Sequence, residues 1–158
     1  MLLHPFDPFK CKKSDKLILG TFPSVLSRQN NFYYGHPQNR FWRVVAELYE
    51  MPQPHSINEK KELLIYSGIA LWDVIKSCEI TGSADASIKN VVPNDVASLL
   101  AGSEITKIAT NGQKAQLLFL KYITPQTGVI PVCLASTSPA NAQVGFNELK
   151  DIWGQFLK

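Results

Sequence analysis

Short apolar runs that alternate with helical patterns constrain the fold of this chain most. Each run is brief, rich in branched apolar residues and bounded by glycine or proline, which is typical of a buried strand. The four runs lie at residues 16–21, 68–73, 105–110 and 128–135. Because parallel strands need long crossovers, and helices supply them, the pattern predicts an α/β fold. We expect a three-layer α/β/α sandwich with a four-stranded parallel sheet.

Periodicity and capping signals predict the helices between these strands. Phe41, Val44, Val45 and Leu48 share one face of a helix that ends before Pro52. A capping box, Ser56-x-x-Glu59, opens the next helix, which ends at Gly68. Further helices are predicted from Asn94 or Asp95 to Gly102, over residues 113–122 with Leu117, Leu118, Phe119 and Tyr122 facing inward, and along the stripe of residues 146–157. The stretches from Pro23 to about residue 38 and from Ser77 to Asn90 are predicted to be loops.

Length and composition exclude several classes of protein. At 158 residues the chain is near the size of one domain, so residues 1–158 are expected to form a single domain. Charged residues at 18% and aromatic residues at 10% exclude a disordered protein, and the apolar runs are too short to span a membrane. Cys11, Cys78 and Cys133 lie far apart, which predicts neither a disulfide framework nor a metal site and favours the reducing cytoplasm. A net charge of +3 permits a polyanionic partner without requiring one.

Two of the loops that follow predicted strands are crowded with hydroxyl, amide, proline and aromatic residues. Ligands of parallel sheets bind outside the carboxyl ends of the strands, where these loops lie. Backbone N–H groups turned outward can hold a phosphate or a base edge, and an aromatic ring can stack on a base. A pocket for a flipped nucleobase needs these parts. The blocks read Gly20-Thr-Phe-Pro-Ser24, Tyr34-Gly-His-Pro-Gln-Asn-Arg-Phe-Trp42 and Ser136-Thr-Ser-Pro-Ala-Asn141.

The three blocks resemble the uracil-DNA glycosylase superfamily, most closely its hypoxanthine (deoxyinosine) DNA glycosylase branch. The resemblance spans nearly the whole chain, and the long central block is its most specific part. It implies a monofunctional DNA glycosylase of base excision repair that hydrolyses the N-glycosidic bond of a deaminated base, chiefly hypoxanthine, and leaves an abasic site. The expected partner is double- or single-stranded DNA that contains such a base. No metal, cofactor or membrane partner is expected, and we expect a monomer.

The resemblance also implies a role for each block. Asn39 matches the catalytic amide of the deoxyinosine branch, and Tyr34 matches an aromatic residue that stacks on the extruded base. The first block matches the loop around the base and sugar, and the last block matches the loop that grips phosphates and supplies a wedge. The implied substrate-binding residues are Gly20, Thr21, Phe22, Pro23, Ser24, Tyr34 and His36. The implied DNA-binding residues are Ser136, Thr137, Ser138, Pro139, Ala140 and Asn141.

Departures from relatives that excise uracil shift the expected chemistry. Phe22 stands where many of them have the Asp or Asn that handles the attacking water, and residues 136–138 lack the histidine of the fastest ones. Iron–sulfur branches need four cysteines, and this chain has three. Asn39 is therefore expected to hold the water, while backbone N–H groups stabilise the charge on the departing base.

Each candidate residue also has a structural interpretation. Asn39 could cap the helix that follows it, Tyr34 could cover the core, and His36 could bond within its own loop. Residues 136–138 could form an ordinary turn. Asp73 ends a strand and could be a pocket carboxylate, although a helix cap or a solvated loop position is the stronger interpretation. A uracil or xanthine glycosylase of the same superfamily and a non-catalytic module that binds damaged DNA stay as alternatives.

Overall fold

A four-stranded parallel sheet forms the centre of the protein, in a computed structural model that describes residues 2–82 and 84–158. The strands are β1 (Leu2–Leu3), β2 (Lys16–Gly20), β3 (Ile69–Asp73), β4 (Ile75–Glu79), β5 (Lys89–Pro93), β6 (Lys107–Asn111) and β7 (Val132–Leu134). The parallel sheet has the order β3-β2-β6-β7, and every neighbouring pair in it is parallel. The predicted fold class is confirmed.

Helices cover both faces of this sheet. They are α1 (Val25–Asn30), α2 (Phe41–Leu48), α3 (Ile57–Ser67), α4 (Val96–Leu100), α5 (Gln113–Tyr122), α6 (Thr124–Thr127) and α7 (Phe146–Leu157). Ile18 of β2 packs into a core shared with α2, α3 and α7, while Leu17 and Leu19 pack into a second core with α4 and α5. Because both faces are covered, the strand reads as a continuous apolar run. Among the described residues, none of the helices combines the length and apolar character that a bilayer crossing requires.

The capping signals correctly locate helix ends. The Ser56 hydroxyl accepts a hydrogen bond from the Glu59 N–H at 3.1 Å, and Gly68 ends α3 in the left-handed conformation with φ 73°. Asp95 caps α4 in the same way. The predicted inward position of Leu117 in α5 is wrong, since its side chain is 64% exposed. The buried face of α5 is the stripe through Ala115, Leu118 and Phe119, and Leu117 lies off that stripe.

The predicted loop over residues 77–90 is wrong at both ends, where residues 77–79 belong to β4 and residues 89–90 to β5. β4 and β5 pair as antiparallel strands, and β1 pairs with β4 on its other side to give a separate three-stranded sheet. This sheet is polar and half exposed, and its β4–β5 register shifts at two points, so it carries no apolar run or clean alternation. Ser83, within the same predicted loop, lies outside the described residues.

Two further boundaries differ from the prediction. The predicted loop up to residue 38 contains α1, which is too short to show an apolar stripe; Ser24 caps it, and Asn31 ends it at φ 55°. The last strand is only Val132–Leu134, because residues 124–127 form α6 and Gly128 ends that helix in the left-handed conformation.

The N-terminal arm, residues 2–9, lies across both sheets and passes beside the site at His4. β1 pairs with β4, and the His4 N–H donates to the Lys76 carbonyl at 2.7 Å. Phe9 pairs with Leu71 of β3 as an isolated antiparallel bridge. The arm thereby brings His4 to the carboxyl end of β3, where Asp73 lies.

Candidate active site

A cavity of about 340 Å³ opens at the carboxyl ends of the parallel strands. Its walls hold every predicted site residue except Asn141, whose amide instead donates to the Ser136 carbonyl at 3.0 Å. The predicted residues in the walls are Gly20, Thr21, Phe22, Pro23, Ser24, Tyr34, His36, Asn39, Ser136, Thr137, Ser138, Pro139 and Ala140. The structure adds Ser27, Tyr33, Asp73, Ala84 and Asn111 to them. The three blocks thus converge on one cavity.

Hydroxyl groups join the first block to the second. The Ser24 hydroxyl accepts the Ser27 N–H at 3.2 Å, and the Ser27 hydroxyl accepts the Gly35 N–H at 2.8 Å. His36 closes a tight turn in the second block, because its Nδ1 accepts the Gln38 N–H at 3.1 Å. These bonds hold both blocks against one another without using a charged group.

Asn39 lies in the cavity wall immediately before α2. Its Oδ1 accepts the Phe41 N–H at 2.9 Å, so this oxygen satisfies a free N–H at the helix start, as the structural interpretation expects. The Asn39 N–H donates to the His36 carbonyl at 2.9 Å. A carbonyl oxygen has two lone pairs, so Oδ1 retains capacity to accept a second hydrogen from a ligand or water. Capping and ligand binding are compatible at this residue.

Tyr34 forms the aromatic wall of the cavity. Its ring stacks on that of Phe41 with centroids 4.4 Å apart and an interplanar angle of 25°. Its backbone has φ 53°, a left-handed conformation that is uncommon for an aromatic residue and that recurs at functional sites. The Tyr34 hydroxyl is buried and makes no hydrogen bond with the described residues.

Burial and the nearby Asp73 carboxylate raise the pKa of Tyr34, although the neighbouring Asn111 amide opposes part of the rise. The pKa of Tyr33 is raised by burial and by Asp73 in the same way. Both phenols are therefore neutral at physiological pH. The wall behind the cavity presents O–H groups and ring faces, with no phenolate charge.

The last block is anchored at two points. Asn111, at the end of β6, donates its amide N–H to the Thr137 hydroxyl at 2.9 Å and accepts the Thr137 N–H at 3.0 Å. Arg40 donates its backbone N–H to the Thr137 carbonyl at 3.0 Å and its guanidinium to the carbonyls of Asn141 and Val144. Thr137 is consequently fully buried. The loop is a preorganised element that cannot shift without disturbing the start of α2.

A larger groove of about 840 Å³ lies along the edge strand β7. Its lining is largely aliphatic, with Ile108, Val129, Ile130 and Val132 among the residues, and it holds none of the predicted site residues. Size alone therefore does not identify the functional cavity. The convergence of polar and aromatic groups selects the smaller one.

Comparison with known proteins assigns the chain to a family. No protein-family model matches it. A protein of Methanosarcina acetivorans named hypoxanthine DNA glycosylase is 32% identical over 151 residues, which cover 93% of either chain. A protein of the same name from Methanosarcina barkeri is 33% identical over 155 residues, covering 97% of this chain and 96% of the relative. This chain belongs to the hypoxanthine DNA glycosylase family.

A solved structure places this family member among uracil DNA glycosylases in fold. A Methanosarcina acetivorans protein, named as a uracil DNA glycosylase and determined by solution NMR, superposes with a TM-score of 0.82 at 30% identity. The superposition covers 96% of this chain and 94% of the other. The sequence resemblance to the superfamily and to its hypoxanthine branch is confirmed.

The buried carboxylate of this glycosylase family member is Asp73, which the sequence offered as a pocket carboxylate only in the weaker of two interpretations. Asp73 is 3% exposed, and its Oδ2 lies 2.8 Å from the Nε2 of His4. The interpretation of Asp73 as a helix cap or solvated loop residue is wrong, because it ends β3 in the cavity wall. Its place at the end of an apolar run was the available signal. His4 gave none, since its partner lies 69 residues away.

Asn111 is a wall residue that sequence reasoning did not single out. It ends β6, directly after the apolar run at residues 105–110, and so lies at the sheet edge where ligands bind. The signal was its position after a predicted strand. Its contact with Thr137, 26 residues later, becomes visible only in the fold.

Proposed function

We propose that the protein everts hypoxanthine from deoxyinosine-containing DNA into the 340 Å³ cavity and hydrolyses the N-glycosidic bond, leaving an abasic site in an unbroken strand. The observation that carries this proposal is the convergence of all three sequence blocks on one cavity at the carboxyl edge of the sheet, in a chain of the hypoxanthine DNA glycosylase family. The volume is within the range of roughly 300–1,000 Å³ typical of small-molecule pockets.

Asn39 positions the attacking water in this proposal. The water oxygen forms a bond to C1′ of the deoxyribose, the C1′–N9 bond breaks, and the base leaves with that bond's electron pair; a proton from the water passes to the base or solvent. The transition state has a cationic, oxocarbenium-like sugar, so little proton abstraction is needed early and a neutral amide suffices. The second lone pair of the Asn39 Oδ1 is the acceptor for that water.

Stabilisation of the departing base comes from neutral groups around it. Backbone N–H groups of the first block supply the donors, because nearly all those of the last block already bond within the protein. The Tyr34 ring, backed by Phe41, supplies a face for stacking. The substrate-binding residues in this proposal are the ones expected from the sequence, namely residues 20–24, Tyr34 and His36. Each contributes by shape and hydrogen bonding, without a charge.

The last block grips the DNA backbone in this proposal. Ser136 and Ser138 are half-buried in the cavity wall, and each hydroxyl accepts one backbone N–H and keeps its own hydrogen for a phosphate. Pro139 and Ala140 are the candidates for the wedge that fills the gap left by the everted nucleotide. The buried Thr137 supports the loop, because its hydroxyl is occupied by Asn111. We place the protein in the cytoplasm as a monomer that acts on double- or single-stranded DNA.

The first experiment compares duplexes that carry one deoxyinosine, deoxyuridine or deoxyxanthosine. Alkali-labile strands and free base in the supernatant show which lesion is excised. Asn39→Ala removes both the water acceptor and the helix-capping oxygen, whereas Asn39→Ser keeps a shorter oxygen that can still cap. We expect both variants to lose excision of hypoxanthine by about 100-fold or more, and Asn39→Ala alone to lose about 1 kcal/mol of stability.

The matched control is Asn147→Ala, on the exposed side of α7, which should excise at the unaltered rate. Normal excision by Asn39→Ser would show that Asn39 only caps the helix. Excision of uracil or xanthine in preference to hypoxanthine would assign the alternative substrate. If the unaltered protein binds damaged DNA but releases no base, it is a non-catalytic binding module and not an enzyme.

A further inference from the structure

The N-terminal arm supplies a buried partner for the cavity carboxylate. The side chains of His4 and Asp73 are each only 4% exposed, and Nε2 of the imidazole lies 2.8 Å from Oδ2 of the carboxylate. Phe6 encloses the imidazole, with ring centroids 4.7 Å apart, and Phe22 of the first block lies 6.0 Å from it. The pair is therefore fixed in place by packing as well as by its hydrogen bond.

The second oxygen of Asp73 is available to the cavity. Oδ1 accepts no hydrogen bond from the described residues, and Asp73 lines the cavity wall. It lies against Gly20, where an added Cβ would be 2.5 Å from Oδ1 and 3.4 Å from the Tyr34 hydroxyl oxygen. That hydroxyl is itself buried and makes no hydrogen bond with the described part of the chain. An acceptor and a donor that the described residues leave unused thus both lie within 3.4 Å of the point where a Gly20 Cβ would be.

We propose that His4 is a positioning residue: it holds Asp73 so that Oδ1 accepts an N–H of the everted base, while the Tyr34 hydroxyl donates to the adjacent carbonyl. This inference rests on the proposed function. It makes the N-terminal arm part of base selection, which the sequence blocks alone do not include.

The chemistry of the base edge matches this arrangement. Hypoxanthine presents its N1–H donor beside its O6 acceptor, which is the complement of a carboxylate oxygen beside a hydroxyl donor. Purine, the base of deoxynebularine, has no exocyclic group, so its N1 is unprotonated and its C6 carries no carbonyl. It would leave the Asp73 oxygen unpaired, and a site built to bond a substrate group discriminates strongly against an analogue that lacks it.

His4 has a second effect besides orientation. A carboxylate beside a departing base opposes the negative charge that the base gains as the bond breaks. The Nε2–H hydrogen bond draws charge away from the carboxylate and fixes which oxygen faces the base. Loss of His4 would therefore slow excision of a base that uses Asp73, and would spare a base that does not.

The test measures single-turnover excision from duplexes that carry deoxyinosine or deoxynebularine. His4→Phe keeps a ring against Phe6 but has no donor, whereas His4→Gln restores an N–H donor. We expect His4→Phe to slow deoxyinosine excision by tenfold or more and deoxynebularine excision by less than threefold, and His4→Gln to recover most of the deoxyinosine rate. The control is His55→Gln at an exposed histidine, which should match the unaltered protein.

If His4→Phe fails to fold, Asp73→Asn tests the same proposal. Its amide can accept from His4 and presents an NH₂ donor to the base, so the rate ratio of deoxyinosine to deoxynebularine should fall by tenfold or more. Equal slowing of both substrates, or no slowing, would overturn the assignment of His4 and Asp73 while leaving the glycosylase intact. If the unaltered protein releases neither base, the proposed function itself is wrong.

Discussion

Gly20 shows how the absence of one side chain shapes the cavity. It ends β2, and its backbone conformation is ordinary for any residue, so conformational freedom is not the reason for glycine here. The reason is space, because the Asp73 carboxylate lies where a Cβ would project. Asp73 has little room to move, since its other oxygen is bonded to His4.

Gly20→Ala should therefore impair the site more than its size suggests. The new methyl group displaces Asp73 Oδ1 and strains the bond to His4, so we expect a loss of about 1–3 kcal/mol in the free energy of unfolding together with slower excision. Urea denaturation and single-turnover assays measure the two effects. Gly145→Ala is the matched control, because open space surrounds that position. Normal stability and excision in Gly20→Ala would show that the carboxylate does not depend on this gap.

Residues of the site differ in how far the sequence can predict them. The residues of the three blocks are predictable because each block is contiguous and its residue types match the chemistry of a base pocket. The pairing of His4 with Asp73 is not, since it depends on how an arm of the chain lies over two sheets. Asn111 is intermediate, because its place after an apolar run is visible and its partner is not.

Helices and strands that depend on contacts between residues close in the sequence are predictable, and those that depend on distant contacts are not. The capping box at Ser56 locates α3 correctly because the bond joins residues only three apart. The β4–β5 hairpin escapes prediction, since polar residues dominate it and its register shifts remove the alternation that marks a strand. β1 pairs with the edge of this hairpin, and His4 follows β1 directly. The position of His4 therefore could not be predicted without the hairpin.

Ser56→Ala tests the local cause at the scale of one helix. Loss of the capping oxygen should lower the free energy of unfolding by about 0.5–2 kcal/mol, while excision stays unchanged because α3 contributes no residue to the cavity wall. Ser56→Thr keeps the oxygen and should retain most of the stability. Urea titration measures both, and equal stability of the alanine variant and the unaltered protein would contradict the capping assignment.

The whole molecule encloses two neutral phenols and a carboxylate behind one cavity. Burial and Asp73 raise the pKa of both Tyr33 and Tyr34 above the usual 10.0. In the unfolded chain these phenols lose their protons near pH 10, whereas in the folded protein they keep them. The unfolded state then binds fewer protons, so stability falls as the pH rises above 10.

Tyr33→Phe isolates one of these phenols. Above pH 10, the free energy of unfolding of the unaltered protein should fall by about 1 kcal/mol per pH unit for each buried phenol. The variant has one buried phenol fewer, so its free energy of unfolding should fall less steeply by that amount. Its lost hydrogen bond to the Asp7 carbonyl lowers stability equally at every pH. Tyr66→Phe, at a side chain that is 63% exposed, should keep the steep dependence. Urea denaturation between pH 9 and 11 makes the comparison, and equal slopes for all three proteins would contradict it.

The position of His4 has a practical consequence for handling this protein. An affinity tag or fusion partner joined ahead of Leu2 would begin within a few residues of a side chain that contacts the cavity wall. No residue of α7 lines that wall, because Ala140 is the last wall residue along the chain. Purification handles, fluorophores and surface-immobilisation chemistry therefore belong at the carboxyl terminus.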